Sequence, residues 1–259
     1  MSEMRTVTNT NTGRQIRILL INPNATKSTT EACIDMVAST LPPDVSVTGF
    51  TAPEPAPSAI EGNFDGVMSA AASMRAVMPI AADYDAFLVA CYSDHALIRM
   101  LREEFRQPTI GIMEASLIAA RTVGGRLGLV ATGARSKVMG EDSIHYYGME
   151  PFTAGVEHCG LGVLELEHKP EKEINGIMVA TAKRLVERGA DVLTLGCAGM
   201  TKLKPAIEET VGSDVQVIDG VLAGVHHLIG IVRIGGSTAK AGLYKSSAEG
   251  RKARGQTYY

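Results

Sequence analysis

Apolar residues in this chain fall into two alternating kinds of run. Short, nearly unbroken apolar stretches occur at 16–22 (IRILLIN), 45–51 (VSVTGFT), 86–92 (AFLVACY), 109–113 (TIGIM), 127–132 (LGLVAT), 191–197 (DVLTLGC) and 215–219 (VQVID), with a weaker one near 150–155. Their length and β-branched content predict strands. Because they are continuously apolar rather than alternating, both faces of the sheet should be covered. Between them lie segments with helical spacing: about Thr26 to Ser39, about Gly66 to Ala82, LIRMLREEF (97–105), KEINGIMVATAKRLVERG (172–189) and a last one after Asp219. Strand–helix alternation of this kind predicts an α/β fold with parallel strands. An eightfold barrel and two doubly wound halves both fit the pattern.

An internal echo favours the halves. YDAFLVACYSDHALIRML (84–101) and ADVLTLGCAGMTKLKPAI (190–207) share one plan: an acidic lead-in, a buried strand, a cysteine, a small turn and a helix. In parallel α/β sheets, ligands bind at the carboxyl ends of strands. A pseudo-twofold arrangement would set Cys91 and Cys197 across one cleft. No linker separates two domains cleanly. The chain is expected to cross between halves near residue 113 and to return near 214. This gives a first α/β subdomain from 16–113 plus 214–235 and a second from 114–213. Residues 1–15 read as a disordered leader, and 236–259, polar and basic, as a flexible and partly docked tail.

Composition narrows the function classes. The chain has 259 residues, 45% of them hydrophobic, with 5% aromatic and no Trp, so the core is built from Ala, Val, Ile, Leu and Met. A formal charge of −3 gives no electrostatic reason to expect nucleic acid or an anionic membrane as partner. No stretch is long and apolar enough to span a bilayer, and the first residues lack the apolar run of a signal peptide. Four cysteines are far too few for a disulfide scaffold, so free thiols and a cytoplasmic setting are expected.

Two opposed thiols have a specific use. Inverting a stereocentre next to a carbonyl needs a base on one face and an acid on the other, and a thiolate with a thiol can serve without metal, flavin or pyridoxal. A helix N-terminus after each cysteine would lower its pKa. Cys33, inside a helical pattern, and Cys159, in EHCGLG, are expected to be structural. INPNAT (21–26) follows the first strand, where Asn22 and Asn24 can present amides. Glu114 either caps a helix or accepts a ligand N–H. Thr132 and Gly133 form another strand-end turn. Asp94 is a candidate helix cap, and His95 a residue to tune Cys91 or, with it, to suggest thiol hydrolase chemistry. His226 and His227 read as helix residues. No metal-ligand spacing, dinucleotide fingerprint or P-loop is present, so neither metal nor cofactor is expected.

These residues together resemble the aspartate/glutamate/hydantoin racemase superfamily, in its hydantoin and allantoin racemase branch and especially the fungal members. The resemblance is carried by INPNAT, YDAFLVACYSDHAL (84–97), GIMEAS (111–116), LGVLELE (161–167), LTLGCAGM (193–200) and VIDGVLAGV (217–225). It implies two α/β subdomains about a pseudo-twofold axis, with Cys91 and Cys197 as the acid/base pair. It places Asn22, Ser93, Thr132, Gly196 and Ala198 around a small-molecule substrate, and it implies a homo-oligomer. Bacterial hydantoin racemases tend to have Asp-Pro-Gly-Leu where this chain has Asp94-His95-Ala96-Leu97. The expected activity is racemisation of a 5-substituted hydantoin such as allantoin. The alternatives are racemisation or isomerisation of another small acid (aspartate, glutamate, maleate), epimerisation of a cyclic metabolite, or non-catalytic binding on this scaffold.

Overall fold

The computed structural model describes residues 14–162 and 165–256. In chain order the first half holds β1 (Ile16–Asn22), α1 (Lys27–Ala38), β2 (Val45–Thr51), α2 (Asn63–Val77), β3 (Ala86–Val89), α3 (Ala96–Glu104), β4 (Thr109–Gly111) and α4 (Ile112–Val123). The second holds β5 (Leu127–Ala131), α5 (Ala134–Tyr146), β6 (Thr153–His158), α6 (Glu165–His168), α7 (Glu171–Glu187), β7 (Val192–Leu195), α8 (Lys204–Val211), β8 (Gln216–Ile218) and α9 (Gly220–Arg233), and α10 (Ala248–Ala253) follows. The strands form two four-stranded parallel sheets, ordered β2-β1-β3-β4 and β6-β5-β7-β8. Adding four to each strand number converts one order into the other, which is the pseudo-twofold relation the echo predicts. The barrel is excluded.

The strands form where the sequence is most continuously apolar. Every residue of β3, β5 and β7 is buried. Each fully buried Leu or Ile there contributes about 2 kcal/mol. The edge strand β6 buries only Val156, which is why its sequence signal is weak. TIGIM is not all strand: β4 stops at Gly111 and α4 starts at once with Ile112.

The helices after the last strand of each sheet change sides. Met113, Leu117 and Ala120 of α4 pack in the core of the second sheet with Leu127, Leu129 and Val192. Val221, Val225 and Leu228 of α9 pack with Ile18, Leu20 and Leu88 of the first. The fit is close enough that a Cβ on Gly224 would lie 2.4 Å from Leu88 Cδ1. Strand β8 is still in the second sheet, so the return crossing lies at Asp219 and not near residue 214. The two crossings touch: a Cβ on Gly220 would meet the Ile112 carbonyl oxygen at 2.5 Å.

The tail is docked along α3 and is not a free segment. The Thr238 N–H donates to Arg106 O, and the Lys240 ammonium donates to the final α3 carbonyls of Arg102 and Glu103. From α10, Arg251 pairs with Glu104 at 2.6 Å, both largely buried. The proposed leader falls outside the described residues except for Arg14 and Gln15. No helix among the described residues is long and apolar enough to cross a membrane.

Candidate active site

The two repeats place their cysteines by the same backbone device. Beyond β3 the Ala90 N–H donates to Ile21 O of β1 at 2.8 Å. Beyond β7 the Gly196 N–H donates to Val130 O of β5 at 2.7 Å. Cys91 and Cys197 come next, at the carboxyl ends of the central strands. Both line one cavity of about 90 Å³ between the sheets. Ser93, Thr132, Gly196 and Ala198 also line it.

Two expected residues do not line it. Asn22 is fully buried behind the cavity wall. Its amide donates to Asn24 Oδ1, Thr26 O and Thr30 Oγ1, and its oxygen accepts from the Asn24 N–H, so it ties the β1–α1 turn together. Pro23 and Asn24 are the residues of that turn that reach the cavity. Glu114 points away, into a 2.7 Å ion pair with Arg102 on α3.

Several lining residues escaped the sequence reading. Ser136, Met139, Gly140 and Ser143 come from one face of α5. Their three-and-four spacing is the signal that would have found them. Thr132 Oγ1 donates to Ser136 Oγ at 2.7 Å, which ties that face to the β5 end. Tyr92 forms part of the wall, and its hydroxyl donates to Ser116 Oγ at 2.8 Å, since Ser116 itself donates to Met113 O. Burial pushes the Tyr92 phenol up to about 12, so it stays protonated. Ile60 and Glu61 arrive from the segment before α2.

The electrostatics differ from the sequence expectation. Helix α3 begins five residues after Cys91, too far to lower its pKa by the helix dipole. Burial instead pushes the Cys91 thiol up to about 11, opposed by the Ser93 hydroxyl 3.3 Å away. Cys197 is followed at once by a 3₁₀ turn, Ala198–Leu203, and its carbonyl accepts from the Met200 N–H at 3.0 Å. His95 does not tune Cys91. Its Nδ1 accepts from the Leu97 N–H at 3.3 Å as the α3 cap, and its Nε2 donates to Ser69 Oγ at 3.0 Å. Burial lowers its pKa to about 4, so it is neutral. Asp94, the expected cap, pairs with Arg99 instead. Cys33 is fully buried in the first core, and its thiol is pushed up to about 12 by burial and by the neighbouring Asp219 and Cys197. Cys159 donates to Thr132 O at 3.4 Å outside the cavity lining. No cluster of His, Cys, Asp or Glu among the described residues could hold a metal ion.

A pair of half-buried thiols on one small cavity can move a proton off one face of a carbon and onto the other. Residues 18–228 match the family described as Asp/Glu/Hydantoin racemase. The chain is 42% identical to an uncharacterised protein of Schizosaccharomyces pombe, over 89% of its own length and 98% of the relative's. It is 32% identical to the hydantoin racemase of a Pseudomonas species, over 89% of this chain and 91% of that one. Among solved structures, the allantoin racemase of Pseudomonas fluorescens matches with a TM-score of 0.82 at 32% identity, covering 89% of this chain and 97% of that one. The chain belongs to the Asp/Glu/Hydantoin racemase family and is an isomerase of the racemase type.

Proposed function

We propose that this protein racemises 5-substituted hydantoins, allantoin among them, by proton transfer between Cys91 and Cys197. The observation that carries the reading is the placement of both cysteines, at equivalent strand ends, on one cavity whose lining, among the described residues, contains no Lys, Arg or His. A dicarboxylate such as aspartate, glutamate or maleate needs a cationic partner when taken out of water. A neutral ring of carbonyls and N–H groups needs only neutral donors and acceptors, which Asn24, Ser93, Thr132 and Ser136 supply. The small-acid readings are therefore disfavoured.

In this mechanism one cysteine, as thiolate, takes the proton from the ring stereocentre and becomes a thiol. The electron pair moves into the adjacent ring carbonyl. The opposite cysteine, a thiol, then delivers its proton to the other face and becomes the thiolate. The roles exchange for the other enantiomer. Hydroxyls and backbone N–H groups of the lining hold the enolate charge.

The test is incubation of each allantoin enantiomer with the protein in deuterium oxide. The expected result is loss of circular dichroism well above the rate without enzyme, with one deuterium gained at the stereocentre per inversion. A rate no faster than the blank overturns the reading. In that case, cysteines inert to alkylation would favour the non-catalytic binder. The four cysteines, none in a disulfide, support a reducing, cytoplasmic setting. A homo-oligomer is part of the same proposal. Its candidate contact residues are Phe64 and Val67, exposed three residues apart on α2.

A further inference from the structure

Among the described residues that line the cysteine cavity, Glu61 alone carries a formal charge. The backbone there is anchored, because the Glu61 N–H donates to Asp65 Oδ2 at 3.1 Å in the first turn of α2. Its carboxylate approaches the loop after β6, where Oε1 lies 3.6 Å from the position a Cβ on Gly162 would take. Glu165 comes to the same glycine, accepting from the Gly162 N–H at 2.8 Å. The Arg135 guanidinium lies 3.0 Å from a Cβ position at the adjacent Gly62. It makes no ion pair with Glu61 among the described residues. Glu61 therefore lines the cavity as a solvent-exposed residue at its rim, without an ion pair among the described residues and beside a second carboxylate.

Resting on the hydantoin reading above, we infer that Glu61 sets specificity for the ring substituent. It accepts hydrogen bonds from substituents that carry N–H groups, such as a ureido or aminoalkyl arm, and it excludes substituents that carry a carboxylate. At a solvent-exposed carboxylate such a hydrogen bond changes a specificity ratio by roughly 2- to 5-fold. Repulsion of a carboxylate at similar distance acts in the opposite sense.

The test uses three hydantoins of similar size with a ureido, an alkyl or a carboxymethyl arm at the stereocentre. For each, kcat/KM is measured with the wild type, Glu61→Gln and Glu61→Ala. In Glu61→Ala the ureido-to-alkyl ratio should fall about threefold, through KM, and the carboxymethyl-to-alkyl ratio should rise by a similar factor. Glu61→Gln, which keeps an acceptor without charge, should relieve the carboxymethyl penalty and lose only part of the ureido preference. Equal changes for all three substrates would overturn the inference in favour of a purely structural role, as would a wild type that prefers the carboxymethyl compound. Calorimetric binding of the same three compounds to the Cys91→Ser/Cys197→Ser protein tests Glu61 independently of turnover. Preferential ureido binding there, with no racemisation by the wild type, would sink the catalytic reading and leave the Glu61 assignment standing.

Discussion

Cys91 and Cys197 occupy equivalent positions in two copies of one strand–turn plan, yet their surroundings are unlike. The residue before Cys91 is Ala90, whose methyl is buried in the first core. The residue before Cys197 is Gly196, where a Cβ would strike Val130 O at 2.6 Å. After Cys91 the chain spends four residues in a loop before α3, and the imidazole of His95 caps that helix. After Cys197 a 3₁₀ turn starts immediately. The shared strands and the matched hydrogen bonds to Ile21 and Val130 fix where the sulfurs are. The unshared turns give each thiol its own environment. The proposed proton transfer at both faces of one carbon needs paired positions, and it does not need identical acids.

The largest test breaks the pair. Cys91→Ser and Cys197→Ser should each reduce racemisation of both allantoin enantiomers by on the order of 10³, since each half-reaction uses both thiols. The readout is polarimetry. A variant that retains wild-type rates in either direction would remove that cysteine from the mechanism.

The next test exploits the unequal residues before the cysteines. Gly196→Ala must push backbone from backbone and should destabilise the protein by about 3 kcal/mol. Ala90→Gly, at the equivalent place, adds only backbone freedom and a small void and should cost about 1 kcal/mol. Urea unfolding of the two variants measures the difference. Equal costs would show that the two turns are more alike than their contacts indicate.

A smaller effect separates the loops by pH. The His95 pKa is lowered from 6.5 to about 4 in the folded protein, so the unfolded chain binds the extra proton first as pH falls. The stability that depends on the neutral imidazole is complete above pH 6.5 and is lost as pH falls towards 4. Between pH 7 and 5 this amounts to about 2 kcal/mol, read from urea midpoints. His95→Asn keeps a capping acceptor without the titration and should flatten that pH dependence. An unchanged slope would mean that other groups carry the acid sensitivity.

The strands, the two halves and the cysteine pair were legible because continuous apolar runs and a repeated strand–cysteine–turn pattern are local features of sequence. Helix α5 was not legible: its segment, ARSKVMGEDSIHY, buries only Gly140 and Ile144, so it shows almost no amphipathic stripe. With α5 went Ser136, Met139 and Ser143, a whole wall of the cavity. Asn22 and Glu114 were expected at the site because their residue types and strand-end places suit ligand contact. What decides their roles is their partners: three backbone and side-chain acceptors around Asn22, and Arg102 across from Glu114. The first three lie nearby in sequence yet need the turn folded to converge, and the last depends on how α3 lies against α4. His95 shows the same limit. A histidine beside a cysteine suggests chemistry until Ser69, on α2, claims its second nitrogen.

The exchange of α4 and α9 carries a further consequence. Each half lends the other the helix that closes its core, so neither sheet is complete without a segment encoded in the other half. Were one repeat copied onto two separate chains, those chains would complete each other by trading this helix, as in a domain-swapped dimer. The twofold axis of such a dimer would run through the cleft, with one cysteine contributed by each chain. Joined as one polypeptide, the two copies are free to diverge, and the unequal turns after Cys91 and Cys197 are a form that divergence can take.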